Sequence, residues 1–255
     1  MDRTRFSILE RQPYPLLFVT LSGSHLYGFS SVDSDYDLRG VHLAPPAEFL
    51  GIRGVQRETI EDESWDDGPE DELVTHEAAK YFRLLLRNNG YVLEQIFSPI
   101  VIYDAGHLDE LRSIARRCIT SNHFLHYKGF GYREWSAFLK KPTKHVKRIL
   151  YVFRVLMTGI YLMRTGVVES NILRLNEYFE LPYIPELVEQ KIAGYEKGEL
   201  AAGRGLDFYT REYERLEATL AAEALASSLP RAPKGEAELN DLLLRLRLAG
   251  MPQAS

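Results

Sequence analysis

The stretch that most narrows what this chain can fold into runs from Leu16 to Gly40. An apolar run, Leu16-Leu17-Phe18-Val19, leads into Gly23-Ser24, and ten residues separate that pair from Asp35-Tyr36-Asp37. Side chains alternate faces along a strand, so Asp35 and Asp37 are expected to project together from a strand that continues through Leu38 and Val41. Two carboxylates on one face are costly unless a cation joins them, and hard ions such as Mg²⁺ take carboxylate and phosphate oxygens. The Gly-Ser turn upstream would offer backbone N–H groups at the start of a short helix, a setting that suits phosphate. The competing reading of Val32-Asp33-Ser34-Asp35 is a polar turn closed by Asx hydrogen bonds. Gly23-Ser24 upstream tips the balance toward metal and phosphate.

Strand and helix signals follow from that start. Tyr14 to Thr20 reads as a buried first strand, Ser24 to Phe29 as a helical turn or two, and Tyr36 to Leu43 as a second strand stopped by Pro45-Pro46. Val55 to Glu61 and Glu72 to His76 read as further strands, with an acidic loop from Asp62 to Glu70 between them. His76 to Asn88 has amphipathic helical spacing, and Asn88-Asn89-Gly90 is a good stop because Asn and Gly tolerate positive φ. A short helix over Tyr91 to Phe97 and a strand over Ile100 to Tyr103 complete this part. Beyond Gly106 strand signals are scarce, and helical periodicity covers 108–119, 124–139, 144–164, 186–197, 206–226 and 237–248. A mixed region followed by helices alone argues for an α+β chain in three parts: 1–105, a helical 106–229, and a tail over 230–255.

The string Gly23-Ser24-x-x-Tyr27-Gly28-x-x-Ser31-x-x-Ser34-Asp35-x-Asp37-x-Arg39-Gly40-Val41 resembles the signature of the DNA polymerase β-like nucleotidyltransferase superfamily, in its RNA-repair-pathway branch. A second echo lies in Lys80 to Glu94. The resemblance implies an N-terminal mixed-sheet, palm-like nucleotidyltransferase domain followed by an all-α domain. It also implies Mg²⁺ or Mn²⁺, an NTP substrate (ATP foremost), and transfer of NMP to a hydroxyl acceptor with loss of pyrophosphate. That acceptor, an RNA end, a protein or a small molecule, is not identified by the residues.

In such a family Asp35 and Asp37 hold metal, and a third carboxylate on a neighbouring strand joins them as metal ligand and general base. Glu72, ahead of Leu73-Val74, matches that position best, with Asp71 and Glu77 as rivals; aspartate would be the more usual residue there. Gly23, Ser24, Tyr27, Ser34 and Arg39 form the expected nucleotide-binding set. Arg39 equally suits an ion pair with Asp37, and Tyr27 a packed aromatic. Glu94 is expected to act structurally. In the helical part, Lys140 to Arg148 opens a helix with a basic run whose Lys144 and Arg148 share a face, fit for phosphate or RNA backbone or simply for solvent. Arg117-x5-His123 has a spacing similar to that of HEPN ribonucleases, a pattern that chance also supplies.

Composition adds limits. A net charge of −5 over 255 residues builds in no general attraction to nucleic acid. One cysteine, Cys118, excludes an internal disulfide and fits a reducing, cytoplasmic setting. The apolar stretch from Ile149 to Met163 is broken by Arg154, short of the ~18 apolar residues a membrane span needs. The rival functional expectations are a nucleotide- or RNA-binding module that has lost transfer, and a toxin–antitoxin component.

Overall fold

The computed structural model describes residues 6–64, 71–194, 199–200 and 204–250. By contact density the chain forms two compact units: 1–22, 35–118 and 233–255 make one, 23–34 and 119–232 the other. The chain thus changes unit within the Leu16–Gly40 stretch, at Ser22/Gly23 and again at Ser34/Asp35.

The first unit is built on a five-stranded sheet, β1 Leu16–Leu21, β2 Tyr36–His42, β3 Thr59–Ser64, β4 Asp71–Glu77 and β5 Val101–Asp104, in the order β3-β4-β2-β1-β5. β1 pairs antiparallel with β2 and β5, while β2 and β4 run parallel, which makes the sheet mixed. Every residue of β1 is buried, as its unbroken apolar run requires, and Val19 and Leu21 pack with Leu38, Leu73, Ile102, Phe6 and Ile8. In β4 burial alternates, taking Leu73, Thr75 and Glu77 inward.

Two boundaries differ from the sequence expectation for physical reasons. β3 starts at Thr59, later than Val55, and carries strand pairing into the acidic residues expected to loop, with Glu63 opposite Glu72 and Ser64 opposite Asp71. Pairing with β4 outweighs the local turn signal, and Arg11 offsets the added charge by bonding Asp62 at 3.1 Å. Residues 65–70 of that expected loop lie outside the described residues. The strand–helix boundary falls at Glu77, whose carboxylate caps α3 (Ala78–Leu86) by accepting from Ala79 N at 2.7 Å and Lys80 N at 3.4 Å.

Asn88 takes φ +58°, as the stop signal required, and Asn89 caps α4 (Gly90–Phe97) through Tyr91 N at 2.9 Å. α5 (Leu108–Cys118) starts from Asp104, whose Oδ1 accepts from Gly106, His107 and Leu108 N. The tail helix, α11 (Glu236–Ala249), packs on α3 and α5. Gly235 lies so close beneath it that a Cβ there would meet Cys118 Sγ at 2.7 Å. Burial pushes that thiol up to about 11, so Cys118 is a packed, inert residue.

The second unit comprises α1 (Gly23–Tyr27), α6 (His123–Lys140), α7 (Val146–Thr165), α8 (Ile172–Phe179), α9 (Tyr183–Ala193) and α10 (Leu206–Ala226). α7 is buried over most of its length, from Ile149 to Met163, as its apolar run requires. Gly159 lets it approach α6, since a Cβ there would sit 2.8 Å from Tyr127 Cβ. α8 has no counterpart among the sequence expectations; Asn171 starts it by accepting from Leu173 N and Arg174 N at 3.0 and 3.3 Å. α9 begins earlier than Glu186, because Pro182 and Pro185 tolerate a helix's first turn, where no N–H partner is needed. Its expected end at Lys197 lies outside the described residues. None of the described helices is long and apolar enough to cross a membrane.

Candidate active site

β1 delivers the chain to Ser22, whose N–H donates to Asp37 O at 2.8 Å and closes the β1/β2 ladder. Thr20 Oγ1 donates to Gln95 O at 3.0 Å and Ser98 Oγ to Leu21 O at 2.9 Å, which fixes this end of β1 to α4 and the segment after it. Asp35 is exposed immediately before β2, and Asp37 is partly exposed within it. The buried Leu38 faces the core, so the alternation expected from the sequence is realised from Asp37 to Arg39.

The register of β2 against β4 sets Asp37 opposite Glu72. Arg39 serves both: its Nη2 lies 3.0 Å from Asp37 Oδ1 and 2.8 Å from Glu72 Oε2, while Nη1 donates to Leu38 O at 2.9 Å. Burial pulls the proton affinity of Arg39 down, but the Asp37 carboxylate and the Glu72 hydrogen bond more than restore it, and the guanidinium titrates above its ordinary range. Asp37, Glu72 and Arg39 therefore form one group on a single sheet face, two carboxylates sharing one guanidinium. Among the described residues no cluster of three or more His, Cys, Asp or Glu side chains forms a ready metal cage. Asp35 and the partly exposed Asp37 are carboxylates of the kind that fit an ion such as Mg²⁺, which is commonly bound by one or two carboxylates plus substrate phosphates.

The other half of the motif belongs to the helical unit. Gly23 takes φ +59° and Gly28 φ +85°, and a Cβ on Gly28 would meet Asn171 Oδ1 at 2.5 Å, so glycine is required there. Ser24 is buried at the start of α1, and its carbonyl accepts from Gly28 N and Phe29 N. Tyr27 is fully buried, edge-on to Tyr151, with the Arg154 guanidinium 3.7 Å from its ring centroid. Ser34 is buried too: it accepts from Ser31 N at 2.9 Å through its hydroxyl, and its N–H donates to Ser31 O at 3.1 Å. The turn reading of this segment and the strand reading of Asp37 thus both hold, on consecutive residues.

Lys144 and Arg148 are engaged locally. Lys144 Nζ donates to Phe138 O, Leu139 O and Lys141 O at 2.9, 2.8 and 2.6 Å, satisfying the carbonyl end of α6, and Arg148 pairs with Glu134 at 2.9 Å. The residues of α7 that meet the Gly23–Ser34 segment are instead Tyr151 and Arg154. Arg117 pairs with Glu238, and His123 is fully buried with its Nδ1 on Thr120 N at 3.1 Å; burial pushes it down to about 4. The two belong to different units. Glu94 is buried on α4.

Two functional candidates escaped sequence reading, Arg154 and Lys191, each fully enclosed in the helical unit. Arg154 left a signal, a cation interrupting the apolar core of α7. Lys191 left none.

Asp37 on β2 beside Glu72 on β4, with Asp35 just before the strand and Gly23-Ser24 earlier, places the residues of the sequence string. The model of the RNA repair pathway DNA polymerase beta family matches residues 3–245, and the chain belongs to that family. It is 31% identical over 157 residues to an uncharacterized protein of Methanocaldococcus jannaschii, a match covering 61% of this chain and 63% of the relative. An uncharacterized protein of Bacillus subtilis, YcgL, is 26% identical over 191 residues, covering 72% of this chain and 71% of its own. A crystal structure of a nucleotidyltransferase-like protein from Exiguobacterium sibiricum 255-15 is similar over 96% of this chain and 79% of its own, at 12% identity and a TM-score of 0.33.

Proposed function

We propose that the protein is a metal-dependent nucleotidyltransferase that moves NMP from an NTP, ATP foremost, to a hydroxyl acceptor inside the cell, an RNA end being the acceptor the family name favours. The observation that carries this reading is Asp37 on β2 set opposite Glu72 on β4, one residue pair after the exposed Asp35. Asp35 and Asp37 would hold Mg²⁺ or Mn²⁺, which supplies charge neutralisation on the triphosphate. Gly23, Ser24 and Ser34 are assigned to the phosphate tail by their place in the family string, and Tyr27 to the framework that holds them. The acceptor oxygen bonds to the α-phosphorus as the bond to the β-bridging oxygen breaks; pyrophosphate leaves with that electron pair. We assign the acceptor's proton to the Glu72 carboxylate, and Arg39 to the negative charge that builds on the phosphates. Such transfer relies on positioning and electrostatics rather than on covalent help from the protein.

Incubation with labelled NTPs, Mn²⁺ or Mg²⁺ and a panel of RNA, protein and small-alcohol acceptors should release pyrophosphate. Turnover that survives in both Asp35→Ala and Asp37→Ala would refute the assignment. One observation favours a second reading, a binding module without transfer: Arg39 already engages both Asp37 and Glu72. Calorimetric binding of a non-hydrolysable NTP, with no product from any acceptor, would select it.

A further inference from the structure

Lys191 is a lysine with no solvent exposure, placed near the end of α9. Its Nζ donates to Ser31 Oγ at 2.7 Å. Ser31 Oγ in turn donates to Asp33 Oδ1 at 2.7 Å, and Ser34 Oγ stands 3.1 Å from it. Hydroxyl bookkeeping fixes the directions. Ser31 has one proton, given to Asp33, so its oxygen is left to accept from Lys191, while Ser34 Oγ accepts from Ser31 N at 2.9 Å. The ammonium, which has no acceptor capacity, forces Ser31 Oγ to accept and thereby orients the whole turn. His25 Nε2 adds a contact to Ser34 O at 3.3 Å.

Burying an ammonium is expensive unless its partners repay it, and an apolar side chain would fill the same space at lower cost. Full enclosure also excludes Lys191 as a direct ligand of a phosphate in solution. What it touches is the turn whose last residue, Ser34, is joined by one peptide bond to Asp35. A second buried cation of this unit, Arg154, lies on Tyr27 of the same segment, so both enclosed cations of the helical unit are applied to residues 23–34.

We propose that Lys191 is a positioning residue for the candidate active site: it locks the Ser31–Ser34 turn and so fixes where Asp35 leaves it. The consequence for turnover rests on the transferase reading above; the consequence for the turn and for metal retention does not. Lys191→Met, Ser31→Ala and the double variant of the full-length protein separate the two. Hydrogen exchange over residues 28–36 should speed up by about tenfold or more in Lys191→Met and Ser31→Ala, the scale of a lost hydrogen bond to a charged group. Exchange in α10 should hold. Mn²⁺ affinity, read by electron paramagnetic resonance with a non-hydrolysable NTP present, should weaken by about fivefold to tenfold in each, and the double variant should be no worse than the poorer single one.

Where pyrophosphate release is measurable, kcat per folded molecule, with the folded fraction fixed by circular dichroism, should fall while KM for the NTP stays within about threefold. Unchanged exchange over 28–36 in folded Ser31→Ala, loosening spread equally over α10, or additive effects in the double variant would overturn the proposal. Should Lys191→Met not fold, Ser31→Ala alone still decides. A wild-type protein that binds Mn²⁺ but releases no pyrophosphate defeats the transferase reading and leaves the exchange and Mn²⁺ results to judge Lys191.

Discussion

The two units handle buried charge differently. In the sheet unit, ions meet ions: Arg39 joins Asp37 to Glu72, and Arg247 Nη2 reaches the enclosed Glu77 at 3.0 Å. In the helical unit two buried cations touch the Gly23–Ser34 segment, Lys191 at the Ser31 hydroxyl and Arg154 at the Tyr27 ring. On the sheet, Asp37 and Glu72 stay partly open for exchange with a metal or phosphate. The helical arrangement fixes backbone and offers solvent nothing. The lesson is a division of labour within one motif, with the acidic half at the start of the sheet's central strand and the glycine-serine half held by helices.

That contrast breaks if the sheet carboxylates prove dispensable. Asp37→Ala and Asp35→Ala should each cut pyrophosphate release by about 10²-fold to 10³-fold, in line with removal of a group that stabilises transition-state charge; loss of less than tenfold would put the chemistry elsewhere. Arg247→Met should lower unfolding free energy by about 3 kcal/mol in urea, because it strands a buried carboxylate, with Glu77→Gln in the same background recovering part of it. An effect near zero would mean that the Glu77 cap on α3 suffices alone.

On the helical side, Gly28→Ala should cost about 1–3 kcal/mol through its positive φ and its approach to Asn171, measured the same way. Asn171→Ala should relieve part of that cost, although it also removes the α8 cap.

A further expected effect concerns acid. His76 in the sheet unit and His123 and His126 in the helical unit are each pushed down to about 4, in all three cases chiefly by burial. Unfolded imidazoles bind protons near pH 6.5, so the unfolded state takes up protons first. Stability should be level above that pH and decline as it falls from about 6.5 toward 4. His123→Gln should remove up to one proton from that slope; an unchanged slope would show that His123 titrates normally.

Much of the sheet unit was legible because its rules are local. Apolar runs gave β1, alternation gave β2 with Asp37 and Leu38 on opposite faces, and Asn88 announced its own positive φ. Glu72 was legible as a neighbour-strand acid because it precedes Leu73-Val74. Arg39 offered two partners by alternation, and the structure chose the ion pair. What escaped depends on partners far along the chain. β3 takes its start from pairing with β4, not from the alternation at Val55. Lys144 and Arg148 looked alike as a basic face, yet one satisfies α6 carbonyls and the other pairs with Glu134. Lys191 acts 160 positions from Ser31, a separation no local pattern spans.

Binding of Mn²⁺ in the presence of a non-hydrolysable NTP, followed by electron paramagnetic resonance in wild type, Asp35→Ala and Asp37→Ala, tests the two carboxylates most directly. A nucleotide-dependent Mn²⁺ signal in wild type that is lost in both variants is the expected result. Equal Mn²⁺ binding in Asp37→Ala and wild type would contradict it.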